Sequence, residues 1–545
     1  MKLHQVGTRG GSKPVAASGQ AVAPSSVRRT MTFGLVVGNR GFFPQHLAER
    51  GRQDMLAALK GEGFEVVVLD AADSRHGAIE SRDEAKACAA LFRSRRDAID
   101  GVIVTLPNFG DERAVAETLR LADLNVPVLI HATADAPDMM TIRDRRDSFC
   151  GKISVCNVLT QYGIPFSLTT RHTDRPETAT FRADLQKFAA VCRVVRGLRS
   201  ARIGAIGARP AAFKTVRYSE KILEASGISV EPIDLSEILG RTTNMADDAP
   251  AAIAKLARIH EYVSTDGIPA GALLKMAKLG AVIDHWMVEA DVNVSAVQCW
   301  TSMEEFFGVV PCTLMSMMSN DLLPSACEVD VCGTLSMYAL TLASESPSAL
   351  LDWNNNYGDD PNKAVCFHCS NLPKHFFESV RMDYQEIIAG TVGKENTYGT
   401  CVGRVRASPM SFARFYRRYV RQDPRLRGRG PVHRRFVGNL RWCRCRRDST
   451  PPGTAAPHLH HRLRAPRGGQ LVERGRRAAR SHDEVFRLGC DEASVTAVIL
   501  SGATAKQLRS RRTSVPLARA SIGAWSRGPS TARSLRERSA QDDNR

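Results

Sequence analysis

The feature that most constrains this chain is a strict alternation, beginning just after Met31, between short unbroken apolar runs and amphipathic segments. FGLVVGN is followed by the helix-like HLAERGRQDMLAALKGEG, FEVVVLD by DEAKACAALFRSRRDAID, and GVIVTLP by ERAVAETLRLADLN, with VPVLIHA closing the series near Ala134. Apolar runs without polar alternation are strands buried on both faces, and such strands need helices to cover them. The pattern therefore predicts an α/β fold, doubly wound around a parallel sheet. The turns VGNRGF and TLPNFGDE stand at strand ends, where such sheets hold small ligands, but no GxGxxG accompanies them, which argues against a dinucleotide site.

After a linker-like stretch, DAPDMMTIRDRRDSFCGKIS, ending at about Val155, an amphipathic run from Thr178 to Arg199 leads into ARIGAIG, the loop ARPAAFKTVRYSE and GISVEPIDLSE. The alternation restarts there, predicting a second doubly wound α/β domain. IGAIGARP lacks the Walker Lys-Ser/Thr and reads first as a tight turn, while Arg209 and Arg217 offer donors to an anionic or hydroxylated ligand. A strand-like run then carries Gln298 and Trp300, whose amide and stacking ring suit a sugar, and a Met-rich helix after it reads as core. The expected organisation is an N-terminal α/β domain over 31–155, a central α/β domain with the site over 156–385, and the start of a β-rich C-terminal domain over 386–415. Residues 1–30 read as a disordered extension upstream of a true start at Met31, and 416–545 as a disordered, Arg-rich tail.

The net charge of +18 sits in that tail, which holds 29 Arg and one Lys against 10 acidic residues and leaves the preceding body slightly acidic. Periodicity disappears at the same point. The expectation is a shifted reading frame near Phe415, since a GC-rich gene read out of frame yields Arg, Pro and Ala codons; the neighbouring frame permits strand- and turn-like strings with a histidine pair. A basic tail that binds RNA or DNA is the competing reading, though the tail has few aromatics for stacking and no nucleic-acid motif. No run of about 18 apolar residues, the length a membrane span needs, occurs. The 14 cysteines are dispersed among apolar segments, as expected of a cytoplasmic protein.

Carboxylates, amides and a histidine concentrate between Ser325 and Asn371. Glu328 and Asp330 sit in a short β-type run, Asp352 follows a second apolar segment, and His368 and Ser370 follow a third. Two carboxylates and a neutral imidazole suit a hard or borderline divalent ion, with Mn2+, Mg2+ or Co2+ favoured over structural Zn2+. Such an ion can hold two adjacent oxygens of an open-chain sugar while either carboxylate shuttles a proton. Taken singly, each residue reads as well as a loop acid or a core histidine. CFHC at 366–369 is formally a CxxC, but no second pair lies nearby and its cysteines read as packing thiols on a strand.

ACEVDVCGTLSMYAL, LLDWNNNY and FHCSN resemble the L-fucose isomerase and L-arabinose isomerase superfamily of metal-dependent aldose-ketose isomerases, over about 31–415. The resemblance implies a divalent metal, commonly Mn2+, and interconversion of aldose and ketose through a cis-enediol. It makes Glu328 and Asp352 the acidic ligands and the proton-transfer pair, and His368 the imidazole ligand. Ser370 and Asn371 would join Gln298, Trp300 and Arg209 in binding the sugar. It further implies a homo-oligomer of two α/β domains and a β-rich C-terminal domain, whose final histidine ligand this chain does not spell. A non-catalytic sugar-binding α/β protein and the nucleic-acid-binding protein above are the alternatives.

Overall fold

The computed structural model describes Val27 and residues 29–368, 371–408 and 411–415, together with the backbone of a strand at Thr496–Leu500. The extension expected over 1–30 and the tail expected over 416–545 otherwise lie outside the described residues. The exception is TAVIL, apolar and partly β-branched, which forms the strand Thr496–Leu500.

Five parallel strands form the first sheet: β1 (Thr32–Val37), β2 (Glu65–Val68), β3 (Gly101–Leu106), β4 (Val128–Ala132) and β5 (Ser167–Leu168), in the order β2-β1-β3-β4-β5. Every residue of β1, β3 and β4 is buried, which is why their sequences show no polar alternation. The intervening helices begin where their caps dictate. Ser81 and Glu84 form a reciprocal capping box at the start of Arg82–Ser94, and Asp111 and Thr178 cap Glu112–Ala122 and Ala179–Arg199 through their side chains. The linker-like stretch differs from expectation, because a helix, Ser148–Gln161, begins inside it. Its buried Gly151, Val155 and Leu159 follow a helical period that the preceding charged run conceals.

His131 on β4 is fully buried; its Nδ1 lies 2.9 Å from Thr105 Oγ1 and its Nε2 3.0 Å from the Asp174 carbonyl oxygen. That pairing makes Nε2 the protonated nitrogen of a neutral ring, and burial pushes the imidazole down to about 3. The unfolded chain takes up a proton near pH 6.5 that the folded chain refuses, so this contribution is present above that pH and is lost as pH falls toward 3. Stability should fall by about 1.4 kcal/mol per pH unit in that window from this group alone. Urea unfolding of the wild-type chain and His131→Gln between pH 7.5 and 4.5 checks this: the variant should lose that part of the slope, and equal slopes would refute it.

The second sheet is also wholly parallel: β6 (Arg202–Ile206), β7 (Ser229–Ile233), β8 (Val294–Val297) and β9 (Ser325–Cys327), in the order β7-β6-β8-β9. The largest apolar cluster packs around it, taking in the helix Ala270–Glu289 and the Met-rich helix Cys312–Asn320, whose Met315, Met317 and Met318 are core residues as expected. The helix Val331–Ser344 is buried on nearly every face, and so carries no amphipathic signature.

Antiparallel strands complete the described fold: β10 (Ser348–Tyr357) pairs with β11 (Asp360–Phe367), and β12 (Phe377–Tyr384) with β13 (Tyr398–Val405). The backbone of β15 (Thr496–Leu500) lies between β10 and β14 (Phe412–Ala413). Among the described residues no helix is long and apolar enough to cross a membrane.

Candidate active site

In the second sheet the chain reverses its winding between β6 and β8, and loops leaving strand ends at such a reversal part to form a crevice. Three loops leave these strand ends with chemistry on them. After β6 comes Gly207, whose φ of 81° is open to glycine at no steric cost; a Cβ there would lie 2.5 Å from Gln298 Oε1. That closeness lets Gln298, just past β8, accept a hydrogen bond from Ala208 N at 2.8 Å and tie the two loops together. Trp300 packs edge-on against Phe213 of the β6 loop, with ring centroids 5.1 Å apart.

Glu328 follows β9 directly, and the expected β-type run ends before it. Glu328 and Val329 both adopt left-handed backbone, with φ of 64° and 51°, and Asp330 caps the helix Val331–Ser344 by accepting from Gly333 N at 2.8 Å. Left-handed backbone costs an L-residue about 1–2 kcal/mol, and two in succession, one of them β-branched, are held only by strong surroundings. The turn carries the Glu328 carboxylate to Trp300, whose Nε1 donates to Oε1 at 3.4 Å.

Behind Glu328 lies a buried group of softer and neutral ligands. The Sγ atoms of Cys299 and Cys327 and a carboxylate oxygen of Glu328 all lie within 4.8 Å of one another. His368, just beyond β11, brings Nε2 to 3.3 Å from Cys327 Sγ, and Asn371 Nδ2 lies 3.8 Å from the same sulfur. Among the described residues Asn371 Oδ1 is buried without a hydrogen-bond partner, an acceptor that a bound cation or a sugar hydroxyl would satisfy. Asp352 stands on β10 opposite Phe367, the residue before His368, and its charge is felt by the guanidinium of Arg414.

Thus Gln298, Trp300, Glu328, His368 and Asn371 come together around the ends of β8 and β9, with Asp352 on the neighbouring antiparallel pair. Arg209 lies on the loop after β6, where its Nη1 donates to the carbonyls of Pro210 and Phe213 and so shapes the loop that presents the Phe213 ring. Ser370 lies outside the described residues. Cys366 is a buried core thiol, as its strand placement predicts, whereas Cys369 is outside the described residues. Cys299, Cys327 and Phe213 were not foreseen. The available signal was that each thiol stands one or two residues beyond or at the end of a strand, in AVQCW and SACE.

A family model described as the N-terminal domain of fucose/sulfoquinovose isomerase matches residues 34–199. The sulfoquinovose isomerase of Priestia aryabhattai is 22% identical over 331 residues, covering 61% of this chain and 70% of that protein. That of Alkalicoccus urumqiensis is 22% identical over 246 residues, 45% of this chain and 54% of that protein. The sulfoquinovose isomerase of Clostridium sp. (strain MSTE9) is 24% identical over 195 residues, 36% and 43% of the two chains.

Proposed function

We propose that this chain, a sugar isomerase of the fucose isomerase superfamily, interconverts an aldose and its ketose through a cis-enediol, with Glu328 and Asp352 moving the proton. The observation that carries this reading is the placement of Glu328 on a strained turn at the end of β9, against Trp300 and beside buried thiol, imidazole and amide groups. A carboxylate fixed in that way is pre-set for proton transfer between adjacent sugar carbons.

Among the described residues the donors close enough to share a cation are the Glu328 carboxylate and the thiols of Cys299 and Cys327, with the His368 imidazole against Cys327, while Asp352 stands outside that group. Glu328, Asp352 and His368 would hold it, with Mn2+ first and Mg2+ or Co2+ after it. When bound, such an ion would supply Lewis acidity to the sugar's oxygens. The protein's own part is recognition and proton movement. Trp300 and Phe213 offer a ring wall to the sugar's carbon face, Gln298 holds the crevice between the loops, and Glu328 and Asp352 take and return the proton.

Sulfoquinovose leads the substrates, since relatives bear its name; L-fucose, D-arabinose and L-arabinose follow. We read the protein as a cytoplasmic homo-oligomer and the tail from Tyr416 as out of frame. Sequencing the gene across the Phe415 codon checks the last point, and an intact frame removes it. The test of function offers each aldose to the chain, as it stands and with the frame restored, with Mn2+ and then with EDTA, and follows ketose by NMR. Ketose should form from at least one aldose, vanish with EDTA and return with Mn2+. No ketose from any of them in either chain would defeat the reading.

A further inference from the structure

Asp330 belongs to the same motif as Glu328 but has no part in the chemistry above. It is fully buried and receives both Nη atoms of Arg414, at 2.5 and 3.0 Å, in a bidentate pair. Arg414 is itself almost wholly enclosed, with only 12% of its side chain exposed. The chain is built around this pair: a Cβ on Gly333 would lie 2.5 Å from Asp330 Oδ2 and 2.9 Å from Arg414 Nη1, so only glycine leaves the guanidinium room. The segment bearing Arg414 is anchored by Phe415 N, which donates to Ser336 Oγ at 2.8 Å in the same helix that Asp330 caps.

We propose that Asp330 and Arg414 are positioning residues: their buried pair locks the left-handed Glu328–Val329 turn to the start of the helix Val331–Ser344, fixing where the Glu328 carboxylate points. This rests on the isomerase reading of Glu328. Val329 N donates to Val297 O at 3.3 Å and Asp330 N to Cys327 O at 3.1 Å, so the turn hangs between β8, β9 and Asp330. Strained backbone relaxes unless both sides hold it, and Asp330 is the side without a sheet behind it. Arg414 also serves Asp352. Burial works against its charge, yet Asp330, and behind it Cys332 and Asp352, hold the guanidinium above its ordinary range, so the cation paired with Asp330 is also felt by Asp352.

Removing one partner leaves a buried charge unpaired and risks the fold. The principal variant is therefore the double neutral Asp330→Asn/Arg414→Met, which keeps the cap, with Arg414→Lys beside it to keep charge but lose the fork. Mn2+ titration calorimetry, steady-state kinetics, and hydrogen exchange of the peptide spanning 325–335 are measured on both. The expected results are a 10–100-fold weaker Mn2+ Kd, a fall in kcat at little-changed KM, and faster exchange in the turn, the lysine variant falling between. Wild-type Kd, kcat and exchange in a folded double variant would overturn the proposal. So would an unchanged Kd in Arg414→Lys with a raised one in the double variant, which would make Asp330 a ligand rather than a positioner. If the wild-type chain binds no Mn2+ while exchange still quickens in the variants, the metal reading fails and the positioning role stands; unchanged exchange in that case removes both.

Discussion

Glu328→Gln should lower ketose formation by about 10^3-fold while leaving the fold intact. The amide is nearly isosteric, still offers an oxygen to Trp300 Nε1, and sits on a turn shaped by backbone rather than by its own side chain. On the function proposed above, what it removes is the charge that takes the proton and a hard oxygen donor for a divalent ion. Two measurements separate those losses. Mn2+ affinity by titration calorimetry should weaken in Glu328→Gln, and kcat should fall further than saturating Mn2+ can restore. If saturating Mn2+ recovers full activity, Glu328 is a ligand only and the proton is moved by another group. If activity and affinity are both at the wild-type level, the site has been placed on the wrong strand end. Thermal unfolding at the wild-type temperature keeps either result from being a folding artefact.

The alternation of apolar runs with amphipathic helices made both parallel sheets legible, because strands buried on both faces leave a one-dimensional trace in the chain. Glu328 was legible as a residue but not as a geometry. EVDV alternates like a strand, and the helix after it is buried all round, so no period announced that Asp330 caps it through Gly333. Asp-x-x-Gly before the apolar run was the one local hint. The rest of the site was beyond reach for a different reason. Phe213 meets Trp300 because β6 lies beside β8, and Arg414 meets Asp330 across 84 residues of chain. Contacts of that kind are fixed by sheet order and tertiary packing, to which sequence periodicity is blind. Arg209 stands beside a glycine-rich turn, and its Nη1 is bonded to carbonyls of its own loop.

The same limit underlies the largest stability effect expected in this chain. Gly151 falls in a stretch that reads as a linker, yet it lies in the helix Ser148–Gln161 against the loop that leaves β3. A Cβ there would stand 1.6 Å from the Phe109 carbonyl oxygen and 2.4 Å from its carbonyl carbon, both backbone atoms that cannot rotate away. Nor can the loop retreat cheaply. Asn108 donates to Asn39 Oδ1 at 2.6 Å and accepts from Gly110 N at 3.0 Å, while the Arg40 guanidinium lies 4.5 Å from the centre of the Phe109 ring. Gly151→Val must therefore push the helix off the strand ends, opening the buried face that Val155 and Leu159 share with the first sheet. Overpacking against side chains costs about 1–3 kcal/mol; against fixed backbone the loss should be about 4 kcal/mol or more. Gly271→Ala is the matching control, a helical glycine with nothing within 4 Å of its added Cβ, and it should hold or slightly raise the unfolding temperature. Denaturant unfolding of the two variants beside the wild-type chain decides the matter. A Gly151→Val protein as stable as the Gly271→Ala control would mean that this helix does not rest on the Phe109 backbone, and that the loop at the end of β3 is free to move.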